Sequence, residues 1–269
     1  MIHWDNSFQP GMSYVMLGRT QKLEDIYIVE SKDKFSTSGI KVDEKALKEC
    51  ERIRTNFEES KRKQEEGFND HFSIAFLNIF GLLPHLEDVK NDPYLEKFDV
   101  ISFGETWLNP ENSVHLDDRY SCQINVGRGK GLATFVKDSH VIRLHPFTDE
   151  KFSVITMESI YLNVVFLYLS KGANWERLDE ILKAIITNDK PIAVMGDMNF
   201  DFNEDIHPLK SFLLERKFEQ LIKSPTHDYG RMLDHIYVNE LLIAQNPLSF
   251  QRSTYYSDHD IISLHVNKV

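Results

Sequence analysis

PIAVMGDMNFDF, residues 191–202, is the stretch of sequence from which both the fold and the functional site follow. Its first half is an apolar run of the kind that forms a strand buried on both faces of a sheet. The run stops abruptly at Asp197, which places a carboxylate at the sheet edge, and Asn199 follows two residues later. Taken alone, these two residues are equally explained by a polar turn, where Asp, Asn and Gly are common.

Short apolar runs of the same kind, separated by loops, recur on both sides of this stretch from Phe72 onward. They are SIAFLNIF at 73–80, FDVISFGE at 98–105, LATFVK at 132–137, SIYLNVVFLYLS at 159–170, LDHIYV at 233–238 and DIISLHV at 260–266. Apolar residues at helical spacing lie between them, at Leu178, Ile181, Leu182 and Ile185 and at Leu209, Phe212 and Leu213. We therefore predict an α/β fold, a four-layer sandwich of two packed mixed β-sheets flanked by helices.

Polar residues stand at the ends of these predicted strands. Asn78, Glu105 and Tyr168 come at carboxyl ends, like Asp197, whereas Asp234, Asp258 and His259 come at amino ends. In a sheet with antiparallel neighbours, carboxyl and amino ends alternate along the same edge, so all of these side chains can converge on one pocket. Each of them singly has a plain explanation as a turn or loop residue, but their joint occurrence at strand ends favours a site.

The predicted pocket has the ligand chemistry of a hard divalent cation. It is lined by the carboxylates of Glu105, Asp197 and Asp258 and by the amides of Asn78 and Asn199. Such oxygen ligands suit Mg²⁺ or Mn²⁺ better than zinc, and a cation of this kind polarises a phosphoryl oxygen and stabilises a leaving alkoxide. His259 adds a group that titrates near neutrality, and Asp234 can accept its other ring proton.

The composition limits the class of protein. With 269 residues, 41% of them hydrophobic and 27% charged, the chain is typical of a soluble globular protein. Its net charge of -11 argues against binding nucleic acid through a broad basic surface, but is compatible with an enzyme that docks nucleic acid locally. The widely separated Cys50 and Cys122 favour a reducing, intracellular compartment, and no apolar run approaches the roughly 20 residues of a membrane span.

The residues before Phe72 differ in texture from the predicted domain. Gly11–Glu30 holds two short apolar stretches around a polar loop, which short strands or a strand and a helix would explain equally well. The Pro-free, charged run Asp43–Asp70 predicts a surface linker helix in which acidic and basic residues are interleaved. The predicted division is a helical and short-strand appendage over 1–42, a linker helix over 43–70 and the α/β domain over 71–269.

The ordered motifs LNIFGL, ETWL, LYLS, GDMNFDF, LDHIYV and SDHDII resemble those of the endonuclease/exonuclease/phosphatase superfamily, which includes DNase I and the apurinic endonucleases. The resemblance covers roughly Phe72 to Val269, with every core motif present and in order. It implies a DNase I-like fold and a metal-dependent phosphodiesterase. It also implies that Asn78, Glu105 and Asp258 belong to the Mg²⁺ or Mn²⁺ site.

The same resemblance assigns roles to the remaining candidate residues. Tyr168 and Asn199 would contact the scissile phosphate, and Asp197 would position or deprotonate the attacking water. His259, paired with Asp234, would act on the phosphate. The implied chemistry is in-line attack that gives a 3′-hydroxyl and a 5′-phosphate, with Asp197 and His259 both open as the general base.

Within the superfamily, ETWL, YSCQINVGRGKGLATFVK and KSPTHDYGRMLDHIYV are most similar to endonucleases of non-LTR retrotransposons. The resemblance puts Thr226 and His227 on a loop where such enzymes approach DNA, although a plain turn explains them as well. Phe80 stands where apurinic endonucleases usually have an acid, Arg231 where they have an aromatic wedge, and Lys171 where they have Asn. The departures at Phe80 and Arg231 argue against specificity for abasic sites, and Lys171 would change how the phosphate is held.

The first part of the chain resembles a different protein. PGMSYVMLGRTQKLEDIYIV at 10–29 and IKVDEKALKECERIR at 40–54 are similar to the C-terminal region of Pif-type DNA helicases, in which the arginine matching Arg19 reaches the ATP γ-phosphate. No G-x-x-x-x-G-K-[ST] phosphate loop occurs, so no ATP binding is expected in this chain. A Pif-type helicase followed by this endonuclease resembles helentron-type transposable elements. That arrangement implies a DNA substrate, a nuclear location and a helicase polypeptide in cis or in trans.

Two other functions are compatible with the same residues. One is a phosphatase or phosphodiesterase that acts on small phosphoesters with the same catalytic set. The other is a non-catalytic remnant of a transposon that keeps the fold. The intact set of candidate residues argues against the remnant, because drift has no reason to spare them.

Overall fold

The computed structural model describes residues 2–3, 28–29, 70–109, 114–125, 131–140, 142–187, 189–203 and 206–268. The chain divides into two units, Met1–Lys63 and Gln64–Val269. In the first unit, strand β1 (Ile2–His3) pairs in parallel with strand β2 (Ile28–Val29). The rest of the predicted helicase-like segment over 1–42, Arg19 included, and the predicted linker helix up to residue 69 lie outside the described residues.

The second unit alternates strands with a few short helices. Its strands are β3 (His71–Asn78), β4 (Val100–Gly104), β5 (Tyr120–Asn125), β6 (Leu132–Lys137), β7 (Arg143–Thr148), β8 (Phe152–Glu158), β9 (Asn163–Leu169), β10 (Ile192–Asp197), β11 (Glu219–Gln220), β12 (Asp234–Val238), β13 (Leu248–Arg252) and β14 (Ile261–Asn267). Its helices are α1 (Leu86–Lys90), α2 (Trp175–Ile185), α3 (Pro208–Glu215) and α4 (Glu240–Ile243), with a 3₁₀ turn at Leu95–Lys97. None of the helices in the described ranges has the length and apolarity needed to cross a membrane.

The strands of this unit form two mixed sheets. Across the described residues, the first sheet has the order β13-β14-β3-β4-β6-β5 and the second the order β11-β12-β10-β9-β8-β7. In the first sheet β3 is antiparallel to β14 and parallel to β4. In the second sheet β10 is antiparallel to β12 and parallel to β9. Each sheet therefore brings carboxyl ends and amino ends of strands to the same edge, as the sequence predicted.

Both faces of the central strands are buried, because successive side chains point to opposite faces of a strand. On β3, Ile74 and Phe76 join the core between the sheets, where Val164 and Phe166 of β9 also lie. The alternate residues of β3 pack instead in a second core. That core contains Ala75, Leu77, Ile101, Phe103, Val89 of α1 and Leu95 of the 3₁₀ turn.

The outer face of the second sheet is covered by two helices. Val165 and Leu167 of β9 share a third core with Leu178 and Leu182 of α2 and with residues of α3. Helix α2 begins where the Asn174 side chain accepts a hydrogen bond from the Arg177 amide. The predicted four-layer DNase I-like sandwich is confirmed by this arrangement, and the two predicted helices are those that cover the sheet.

Several strands were not predicted, and their burial explains why. β7 and β13 are edge strands that are largely exposed, so neither carries an apolar run. Pro146 lies in β7, a position that an edge strand tolerates because one side of its backbone makes no ladder. β5 is not among the predicted strands, and it pairs with β6 as an antiparallel hairpin.

Gly196 is the residue that lets β9 and β10 approach each other directly before the candidate site. A Cβ on Gly196 would lie 1.8 Å from the carbonyl oxygen of Leu167, and its φ of +149° is one that side chains rarely adopt. We expect Gly196→Ala to lower the free energy of unfolding by roughly 3 kcal/mol or more, because the backbones must separate. Chemical denaturation followed by circular dichroism measures the loss.

The matched control for this prediction is Gly230→Ala. Gly230 also has a positive φ, of +74°, but a Cβ there would meet no atom within 4 Å. We expect that substitution to cost only about 1–2 kcal/mol, the cost of the left-handed conformation itself. Equal losses for the two variants would contradict the close backbone contact at Gly196.

Candidate active site

The second sheet places three of the predicted residues side by side at one edge. Asp197 ends β10, and its register partners are Tyr168 on β9 and Asp234 on β12. β9 runs parallel to β10 and β12 runs antiparallel, so the carboxyl ends of two strands meet the amino end of a third. All three side chains are buried, with exposed fractions of 1% or less. Their proximity follows directly from the strand register.

The first sheet contributes its residues to the same edge. Asn78 ends β3 opposite Gly104 of β4, and Glu105 follows immediately. The Asn78 amide nitrogen donates to Asp197 Oδ2 at 2.8 Å. The Tyr168 hydroxyl donates to Glu105 Oε1 at 2.9 Å. These two hydrogen bonds join the two sheets, so the side chains predicted to converge from separate strand ends do lie together.

Asp197 is held by neutral donors on both of its oxygens. Besides Asn78, the Asn199 backbone amide donates to Oδ1 at 2.8 Å, and the Asn199 side-chain amide donates to Oδ2 at 3.2 Å. Burial and then the nearby Asp234 carboxylate raise the pKa of Asp197, while His259 and these amides act to lower it. A carboxylate whose pKa is raised towards neutral pH is suited to accept a proton.

His259 lies against the fully buried Asp234. Its Nδ1 is 2.7 Å from Asp234 Oδ2, and because a carboxylate only accepts, Nδ1 carries the proton. Burial acts to lower the pKa of His259, but the charge and hydrogen bond of Asp234 outweigh it and raise the pKa to about 9. At neutral pH the ring is therefore an imidazolium, which can stabilise negative charge on a phosphate.

Asp258 and His227 lie beside His259, and the His227 side chain is only 11% exposed. Asp258 has a half-exposed side chain, and its Oδ2 lies 3.4 Å from His227 Nε2. His227 Nδ1 accepts a hydrogen bond from the Tyr229 amide, which leaves the proton on Nε2, facing Asp258. The His227 ring packs edge-to-face on His259 at 4.6 Å. His227 is thus next to the predicted catalytic histidine.

Thr226, the other residue of the loop assigned to DNA approach, has a different position. Its side chain is buried, with 1% exposed. Its hydroxyl oxygen accepts hydrogen bonds from the backbone amides of Leu233 and Asp234, so it fixes the start of β12. The turn explanation therefore applies to Thr226, whereas His227 lies at the site.

The donor set fits a hard divalent cation. Carboxylate oxygens of Asp197 and Asp234 lie within 4.8 Å of each other and of a His259 ring nitrogen, and ligand atoms of His227 and Asp258 lie equally close to His259. Because the protonated His259 ring cannot bind a metal, the carboxylates would be the ligands here. Asp234 Oδ1 is buried and has no hydrogen-bond partner among the described residues. Asp197 and Asp234 are two buried carboxylates beside one imidazolium, and Glu105 is a third buried carboxylate at the same edge, so negative charge there favours a bound cation. Glu105 is in neither group of ligand atoms, so its predicted role with Asn78 and Asp258 stays a prediction.

Two hydroxyls that the sequence did not single out support the site. Ser257 Oγ donates to the Asn78 carbonyl at 2.6 Å and accepts from the His259 amide at 3.0 Å, which ties the loop before β14 to the end of β3. Ser170 Oγ donates to the Tyr168 hydroxyl at 3.3 Å. Each serine lies within two residues of a predicted site residue, and that adjacency was the available signal.

The backbone around the site is strained. Phe80, Glu105, Trp107 and Asn199 all have φ between 45° and 53° without being glycine. Non-glycine residues seldom adopt this conformation, and it costs of order 1–3 kcal/mol wherever it occurs.

The three residues that depart from the apurinic endonucleases lie in different surroundings. Phe80 is exposed, and Arg231 Nε lies 3.5 Å from Asp201 Oδ2. Lys171, the third, is exposed.

Replacing Asp234 should change the proton affinity of His259. We expect Asp234→Asn to lower the pKa of His259 from about 9 towards or below 6.5, because burial is then opposed only by more distant carboxylates. Titration of the His259 ring signals by NMR measures the change. Asp228→Asn removes an exposed carboxylate from the loop that contains His227, and it should leave the pKa of His259 unchanged. Identical titrations for the two variants would contradict the role given to Asp234.

Comparison with known proteins agrees with this geometry. A profile described as the Endonuclease/Exonuclease/phosphatase family matches residues 75–259, which include all eight predicted site residues. No curated protein matches the chain significantly.

Solved structures share the fold. The endonuclease domain of TRAS1, a telomere-specific non-LTR retrotransposon, is 12% identical with a TM-score of 0.56, over 73% of this chain and 98% of that one. An AP endonuclease from Archaeoglobus fulgidus is 17% identical with a TM-score of 0.60, over 74% of this chain and 100% of that one. The 3′ phosphatase NExo from Neisseria, bound to product DNA hairpin, is 13% identical with a TM-score of 0.55, over 73% and 100%.

Proposed function

We propose, from the fact that this chain belongs to the Endonuclease/Exonuclease/phosphatase family of phosphodiester hydrolases, that it is a Mg²⁺- or Mn²⁺-dependent endonuclease acting on DNA. The observation that carries the proposal is the pairing of two buried carboxylates with one imidazolium. Asp197 has raised proton affinity and lies beside Asp234, which holds His259 in its protonated form. That combination supplies a proton acceptor and a positive charge at one place.

We favour Asp197 over His259 as the general base. Because the pKa of His259 is raised to about 9, its ring is already protonated at neutral pH and cannot accept a further proton. Asp197 then takes a proton from the water that attacks phosphorus, and the bond from phosphorus to the 3′ oxygen breaks. The 3′ oxygen takes a proton from solvent water and becomes a hydroxyl, and the phosphate stays on the 5′ side.

The other residues bind and orient the phosphate. The His259 imidazolium stabilises charge on a phosphate oxygen, and Tyr168 and Asn199 hold the phosphate in line with the attacking water. Asn78, Glu105 and Asp258 would hold the cation, which would accept Glu105 oxygen in place of the hydrogen bond that Tyr168 donates to Glu105 and so leave the Tyr168 hydroxyl for the phosphate. A bound Mg²⁺ or Mn²⁺ would supply charge stabilisation for the phosphoryl oxygens and for the leaving alkoxide.

Two further parts of the proposal are that the substrate is DNA and that the protein comes from a transposable element. Both are supported by the similarity of this chain to known proteins. The sandwich resembles the retrotransposon endonuclease domain and a phosphatase bound to a DNA hairpin. The resemblance of residues 10–54 to a Pif-type helicase points in the same direction. We therefore also propose that the parent protein acts in the nucleus with a helicase in cis or in trans.

The nicking of supercoiled plasmid in the presence of Mg²⁺ tests the proposed activity. We expect nicking that EDTA abolishes, and we expect Asp197→Ala and His259→Ala each to reduce the rate by about 100-fold or more, because each removes acid–base or electrostatic catalysis. Asp189→Ala is the control, since Asp189 is an exposed carboxylate in the loop before β10. Hydrolysis of small phosphoesters without nicking would favour the phosphatase instead. Equal activity in all variants would reveal a contaminating nuclease.

Metal binding tests the cation site independently of turnover. We expect Glu105→Gln to weaken Mn²⁺ binding, measured by isothermal titration calorimetry, by about 10-fold or more, because a buried anionic ligand is lost. Glu219→Gln removes an exposed carboxylate on β11 and should leave Mn²⁺ binding unchanged. If the Glu105→Gln variant bound Mn²⁺ as tightly as the unaltered protein, Glu105 would not be a ligand of the cation.

A further inference from the structure

We propose that Phe80 and Trp107 form a stacking platform for an unpaired nucleobase beside the scissile phosphate. The inference deepens the proposed function and rests on it, because it names the form of nucleic acid that the site takes. Its consequence is that the enzyme prefers strands whose bases are exposed, such as single-stranded, bulged or frayed segments, over continuous duplex.

The two rings form an exposed aromatic pair. Phe80 is 66% exposed and Trp107 is 46% exposed, although large aromatic rings usually lie in cores or interfaces. Their centroids are 6.2 Å apart and the ring planes are nearly perpendicular, so the rings support each other edge-to-face. The neighbouring buried core contains Ile79, Leu82 and Leu108 but neither of the two rings. The exposed part of either ring can therefore be reached by a flat, apolar ligand, while the other ring supports it from the side.

Backbone strain directs both rings outward. Phe80 has φ of 45° and Trp107 has φ of 53°, values that bulky residues rarely adopt. Conformations of this kind persist only where the surrounding structure fixes them, and they cluster at functional sites. Here the two loops are joined by hydrogen bonds from the Gly81 amide to the Glu105 carbonyl at 2.8 Å and from the Leu82 amide to the Thr106 carbonyl at 3.0 Å. The platform is thus preorganised before any ligand binds.

The platform is connected directly to the predicted cation ligands. Phe80 follows Asn78 by two residues, and Trp107 follows Glu105 by two residues. Two residues span at most about 7 Å, so the Cα atoms of Phe80 and Trp107 lie within that distance of those of Asn78 and Glu105. The Phe80 amide also donates to Asn78 Oδ1 at 3.1 Å, which couples the orientation of the platform to that of the site. A nucleotide whose phosphate enters the site can therefore place its base on the rings.

The chemistry of stacking selects an unpaired base. In a duplex the faces of each base are covered by its neighbours, so an aromatic side chain reaches a face only when the nucleotide is unstacked or single-stranded. Stacking also supplies affinity that does not depend on charge. This matters for a chain with a net charge of -11, because phosphate contacts over a broad surface contribute little to its binding.

A direct binding experiment tests the platform without turnover. The full chain, in EDTA, is titrated with two fluorescent ten-nucleotide single strands, one of thymidines and one made only of tetrahydrofuran abasic units, and anisotropy is recorded. We expect the thymidine strand to bind more tightly. We expect the double variant Phe80→Ala/Trp107→Ala to weaken binding of the thymidine strand by about 5- to 100-fold and to change binding of the abasic strand by less than twofold.

Two matched variants separate stacking from structure. Phe80→Tyr/Trp107→Phe keeps two aromatic faces and should keep the preference for the base-bearing strand. Ile160→Ala removes an exposed apolar side chain from the loop between β8 and β9 and should change nothing. Melting temperatures of all variants establish that each is folded.

Two outcomes would overturn the proposal. One is equal binding of both strands by the unaltered protein, and the other is an equal loss for both strands in the alanine variant. The plasmid assay fails or succeeds separately: base-dependent binding without nicking would reject the proposed function, whereas nicking without base-dependent binding would reject only the platform.

Discussion

The hydrogen bond from Asn78 to Asp197 joins the two sheets at the point where their strands end. It is short, at 2.8 Å, and both residues are almost completely buried. A buried carboxylate requires such donors, because removing it from water without them is costly. The same bond therefore links β3 to β10 and partly offsets the effect of burial, which raises the pKa of Asp197. The site forms because the two sheets meet at this edge, and their contact buries the carboxylate of Asp197.

Local backbone geometry supports that closure. Gly196 removes the side chain that would separate β9 from β10 immediately before Asp197. Glu105 and Asn199 take left-handed conformations that aim their side chains at neighbouring strand ends. The strain at these positions is offset by the ordered strands on either side. Precision at the site thus depends on a few residues whose conformations the rest of the fold enforces.

The sequence was sufficient to predict the parts of this structure that depend on burial. Long apolar runs gave the central strands, and the side chains that ended them proved to lie together, as Asn78, Asp197 and Asp234 illustrate. The exposed edge strands were missed because their pairing depends on the neighbouring strand and not on their own hydrophobicity. The difference between Thr226 and His227 was also beyond prediction. The Thr226 hydroxyl binds backbone amides at the start of β12, whereas the His227 ring lies against His259, and only the tertiary fold decides which of these adjacent residues reaches the site.

The same limit explains why the aromatic pair was not recognised from sequence. A phenylalanine and a tryptophan after apolar strands are expected in the core, but both have positive φ values and exposed rings, which the sequence does not reveal. The environments of Asp197 and His259 are likewise tertiary properties. Both groups hold their protons to higher pH than usual, so Asp197 is free to accept a proton only above its raised pKa, while His259 stays charged up to about 9. Catalysis requires an ionised Asp197 and a protonated His259, so it is confined to the pH range between the pKa values of these two groups. A divalent cation bound beside Asp197 would favour its ionised form and widen the interval on the acid side.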